Sequence, residues 1–112
     1  DFVSVEACSL EVLASLVCAG YDRVQIVNQA FNSYVTPPEP PREGLHVQAQ
    51  FNGHMSGLFG HELDPVRWTT FSVAAKAYLD FVNLHQRDEK LAHGWLDFHV
   101  TTARCLAQRA AA

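Results

Sequence analysis

"RVQIVNQAFNSYVTPPEPP", residues 23–41, reads as a helix that runs into a block of prolines. Val24, Val27, Phe31 and Tyr34 recur at intervals of three, four and three residues, which places them on one stripe of an α-helix. Asp22 stands where a capping acid would accept a first-turn N–H. This periodicity predicts a helix over 22–34. The four prolines at 37, 38, 40 and 41 end it, because each lacks an N–H and fixes φ. Residues 36–41 are therefore expected as a stiff, extended hinge. In "LHVQAQF", residues 45–51, Leu45, Val47, Ala49 and Phe51 alternate with polar residues, the pattern of a strand with one dry face. A lone strand leaves its backbone groups unpaired. The β-rich opening "FVSVEA" offers a partner strand at 2–6.

Outward from that stretch the pattern is helical. Ser9 can cap "LEVLASLVCA", in which Leu10, Leu13, Leu16 and Val17 share a face and Gly20 supplies a stop, predicting a helix over 10–19. Asp64-Pro65 has the form of a helix start. Trp68, Phe71, Ala75, Tyr78 or Leu79, and Val82 then line a helix over 65–84. A last helix is expected over 89–109, with Leu91, Trp95, Phe98, Thr102 and Leu106 on one face and Gly94 as a kink or a late start. The expected architecture is mainly α: one domain, 1–112, folded as an antiparallel four-helix bundle with a small β-sheet at one end.

Composition bounds the function classes. A chain of 112 residues that is 48% hydrophobic can bury a single core. A net charge of −4 argues against a free-standing nucleic-acid module, which usually carries a basic face. Cys8, Cys18 and Cys105 form no Cys-x-x-Cys motif and read as buried free thiols of a reducing compartment. No apolar run approaches the ~18 residues of a membrane span, so no membrane is expected as a partner. Asp1 and Glu6 stand where a signal peptide would be positive, and the first residue is not Met, as in a processed chain or a fragment.

No constellation of catalytic residues stands out, so no enzyme is expected. His85, His93 and His99 are eight and six residues apart, too far for ligands on one helix, and His54 and His61 lie in a glycine-rich stretch. Neither a metal nor a cofactor is expected. Ser56 is not in a nucleophile elbow, and Cys18 and Cys105 have no adjacent base. Glu62/Asp64 and Asp88/Glu89 suit helix starts. Six arginines outnumber two lysines, and Arg23 and Arg67 fall in first helical turns, where a cation opposes the dipole and an outside anion would be welcome.

The order of features resembles the coat proteins of rod-shaped plant viruses, the tobamovirus (tobacco mosaic virus-like) family. "DFVSVEACSLEVLASLVC" is similar to that family's first strand and cysteine-bearing helix, and residues 23–41 to its second helix and proline loop. "LHVQAQF" falls at a short strand, "ELDPV" at the opening of the third helix, and "LDFHVTTARCLAQ" at the fourth helix. "HQRDEK" stands where the family has an arginine-rich turn. The resemblance implies a four-helix subunit that polymerises around single-stranded RNA, in a virion or the cytoplasm. Arg23 and Arg87 would meet phosphate, and Phe2, Val47 and Phe51 would lie at subunit contacts. The expected function is thus a self-assembling structural protein whose partners are its own copies and RNA. The alternative is a non-enzymatic helical protein–protein interaction module.

Overall fold

The computed structural model describes residues 1–29, 59–92 and 94–111. Strand β1 spans Val3–Glu6, helix α1 Leu10–Cys18 and strand β2 Arg23–Asn28. After 3₁₀ turns at Gly60–Glu62 and Pro65–Arg67 come helix α2, Phe71–Arg87, strand β3, Leu96–Thr101, and helix α3, Ala103–Ala111. The strands form one sheet in the order β1-β3-β2, with β3 in the centre and antiparallel to both neighbours.

This is an α/β arrangement and not the expected four-helix bundle. Among the described residues there are three α-helices and a three-stranded sheet. Residues 23–28, expected at the start of a helix, are strand β2. Val24, Ile26 and Val27 are β-branched and stiff at χ1, which favours the pleated conformation. Val24 and Ile26 lie opposite Val100 and Phe98 and share their apolar face, whereas the helical stripe has no use for Ile26. The helix expected over 89–109 divides at a strand. Gly94 adopts φ of 105°, a backbone region that side chains disfavour, and β3 follows it. In β3, Leu96, Phe98 and Val100 alternate with Asp97, His99 and Thr101.

The helix expected over 65–84 is also split. Asp64 accepts from Val66 N at 3.0 Å, but the turn it caps ends at Arg67. Thr69 then pairs with Val24, and α2 begins only after Thr70, whose hydroxyl accepts from Val73 N at 3.5 Å. Asp22 caps a helix other than the one expected. Its carboxylate accepts from Ala103 N at 2.9 Å, joining the turn before β2 to the start of α3. Strand β1 has β3 as its partner, in the register Val3↔Val100 to Glu6↔Asp97. The expected strand 45–51, the hinge 36–41 and residues 30–34 of the expected helix 22–34 lie outside the described residues.

The core fills one side of the sheet. Leu13 of α1 and Ala74 and Tyr78 of α2 pack on Val24, Leu96, Phe98 and Val100, with Val3, Val5 and Ile26 around them. Phe98 is fully buried under Tyr78, ring centroids 5.2 Å apart. Among the described residues no helix is long and apolar enough to cross a membrane.

Candidate functional site: the polar face of the sheet

Period-two alternation sends the remaining strand residues to the other face. That face carries Ser4 and Glu6 of β1, Asp97, His99 and Thr101 of β3, and Arg23, Gln25 and Val27 of β2. The register sets Ser4, His99 and Gln25 in one cross-strand row and Glu6, Asp97 and Val27 in the next. Neighbours within a row have Cβ atoms about 5 Å apart.

A segment running from Phe59 to Thr69 covers part of this face. The Phe59 ring lies 6.0 Å from the His99 ring, and the Gln25 amide donates to Asp64 O at 3.1 Å. Phe2 joins the cover, with its ring 6.2 Å from Phe59, 4.7 Å from His61 and 6.0 Å from Trp68. This roof lies over the Thr101–His99 end. Toward the other end Ser4 and Glu6 are exposed and Asp97 is half-buried, so the face opens to solvent along β1.

Under the edge of the roof two polar groups are unsatisfied. His99 is 5% exposed and Gln25 1% exposed. Among the described residues, no group bonds either ring nitrogen of His99 or Oε1 of Gln25. Burial pushes the His99 imidazole down to about 4, and the Arg67 charge acts in the same direction, so the ring is neutral at pH 7, with one donor and one acceptor nitrogen. Asp97 moves the other way. Burial lifts it above the ordinary carboxylate value; the hydrogen bond from Gln29 opposes that lift, and the Glu6 charge across the β1–β3 pair adds to it.

The two sheet edges differ. On the outer edge of β2, Val24 and Thr69 exchange two backbone hydrogen bonds of 2.8 Å, and Arg67 Nη2 donates to Ile26 O at 2.6 Å. On the outer edge of β1, no strand pairs among the described residues.

Of the residues singled out in the sequence, Phe2 lies in the aromatic roof. Arg23 opens β2, where no helix dipole acts on it. Its guanidinium donates to Asp22 O at 2.9 Å and faces the Asp22 carboxylate at 3.8 Å. Arg87 is exposed at the C-terminal end of α2, where a cation suits the dipole. Arg23 and Arg87 thus stand on different elements. Val47 and Phe51 lie outside the described residues. The cysteines are free thiols, and Cys8 and Cys18 are exposed where buried thiols were expected. Among the described residues no three His, Cys, Asp or Glu groups converge as metal ligands.

Sequence reasoning tested His99 only as a helical metal ligand and passed over Gln25 and Asp97. The signal for them was the alternation of "LDFHVT", which sets Asp97 and His99 on one face of a strand. No family model, no curated protein and no solved structure matches this chain.

Proposed function

We propose that the chain is a non-catalytic binding module that takes a small polar ligand on the open part of its polar sheet face. One observation carries this reading: His99 and Gln25 are buried side by side with three polar atoms that no group among the described residues satisfies. Buried polar atoms are almost always hydrogen-bonded. Each exception costs about 1–3 kcal/mol, and an apolar pair of the same size would avoid that cost. A ligand that completes these bonds gives the pair a purpose.

Binding without chemistry suits the geometry. Ser4 is the cross-strand neighbour of His99, yet no bond joins its hydroxyl to the imidazole, so no nucleophile–base pair is assembled. The Asp97 carboxylate is engaged by Gln29.

The test is a fragment screen on the isotopically labelled chain, followed through the ring nitrogens of His99 and the Gln25 side-chain amide. Ligands are expected to move both signals saturably and to lose affinity in His99→Leu. A screen whose hits all bind elsewhere, with His99 unmoved, would sink the reading.

Self-association is a second reading, favoured by the asymmetry of the edges. One edge of the sheet is closed by Thr69 and Arg67, and the other offers the outward peptide groups of β1 to a second copy.

A further inference from the structure

The unmet hydrogen-bonding capacity of the polar face has a sign, and with it the ligand acquires a chemical class; this inference rests on the binding reading above. Gln25 has given one of its two amide protons to Asp64 O, and its acceptor Oε1 is left unbonded among the described residues. The neutral His99 ring contributes a lone pair as well as one N–H. In the adjoining row Glu6 and Asp97 face each other across β1 and β3, close enough that the Glu6 charge acts on Asp97. One Asp97 oxygen accepts from Gln29, and a carboxylate has further acceptor capacity. Acceptors therefore outnumber donors, and two of them are carboxylates.

The compensating cations lie elsewhere. Arg67 reaches the face from the far edge of β2, where it is held on Ile26 O, and Arg23 is held on Asp22. Positive charge thus borders the β2 side and negative charge the β1 side. Phe59, 44% exposed, offers an apolar wall beside His99. A bare metal ion does not suit the place, since no three ligand groups converge among the described residues.

We propose that the polar face, where it emerges from the edge of the roof, binds a primary organic ammonium, its three N–H donors directed to Glu6, Asp97 and the acceptor nitrogen of His99, and its carbon skeleton against Phe59. Three compounds of one shape separate the charge from the skeleton: 2-phenylethylamine, 2-phenylethanol and 3-phenylpropionate, each titrated into the labelled full chain at neutral pH. The amine is expected to shift His99, Asp97 and Glu6 saturably. The alcohol and the acid should bind at least about tenfold more weakly, as loss of a charge-assisted hydrogen bond implies. Glu6→Gln, at an exposed position that leaves the fold intact, should weaken the amine about tenfold, and Asp97→Asn at least as much.

Equal binding of the alcohol at His99 would overturn the ammonium assignment and leave the binding reading standing. Amine binding that ignores both Glu6→Gln and Asp97→Asn would overturn the assignment too, as would no shift at His99 with any of the three. The wider screen then decides the binding reading by itself.

Discussion

His99 sits at the centre of the central strand, on the face that a folding argument alone would make either apolar or fully bonded. It has Ser4 on one side and Gln25 on the other, and its ring reaches neither. Neutralisation by burial removes the charge penalty, but the two ring nitrogens still give up water without replacement. His99→Leu should therefore stabilise the free chain by about 1 kcal/mol, which is about 4 °C in Tm for a domain of this size, while abolishing ligand binding. Thermal and urea unfolding of the two proteins check this. A clear loss of stability in the variant would mean that the imidazole is held by bonds that leucine cannot replace. A gain with binding retained would place the ligand elsewhere. The opposed movement of stability and binding is what a residue kept for function shows, and core packing residues such as Phe98 show no such opposition.

At the scale of elements, the strands and helices were unequally legible in the sequence, for a physical reason. The structure has helix α1 at Leu10–Cys18 and strand β1 at Val3–Glu6, where one face packs against the core and the apolar spacing reports it directly. Strand β2 is hidden because both of its faces are covered. Gln25 is as buried as Val24, so polar and apolar positions cease to mark outside and inside, and a three-and-four spacing can be drawn through the same residues. In β3 the alternation was present, but a longer helical stripe through Leu91, Trp95 and Phe98 overrode it, although Gly94 marks the break. The candidate site was illegible for the same reason. It is made by register between β1, β3 and β2, which are joined by long-range pairing that no local pattern encodes. The open edge of β1 supports its own prediction. Ala7 N donates to Leu96 O, so the peptide groups of Ser4 and Glu6, one residue out of phase, point away from β3. Proline at such a position removes an outward N–H and leaves the internal ladder intact. If copies of the chain join through β1, sedimentation should show a concentration-dependent larger species that Ser4→Pro abolishes without altering the far-ultraviolet spectrum. A wild-type chain that sediments as a monomer at all concentrations would exclude this mode of association.

For the molecule as a whole, the buried polar face couples folding to pH. The unfolded chain protonates His99 near 6.5, and the folded chain does so only near 4. Between those values the unfolded state holds the extra proton, so stability rises with pH across the window and falls as the solution is acidified. The stabilising contribution is complete above about pH 6.5 and is lost by about pH 4, a total of roughly 3 kcal/mol at 1.36 kcal/mol per unit. Asp97 works in the opposite sense. Its folded value is raised, so the folded state binds the proton more readily and gains relative stability as pH falls through the carboxylate range. The two groups share a face and act against each other on acidification: His99 weakens the fold, and protonation of Asp97 offsets part of that loss. Urea midpoints at close intervals from pH 7 to pH 4 should fall across the window from about 6.5 to about 4 that the histidine shift sets. His99→Leu should flatten that fall, and Asp97→Asn should deepen it by removing the offset. Equal slopes in wild type and His99→Leu between pH 6 and 5 would show that the imidazole is not the group whose burial links the fold to pH.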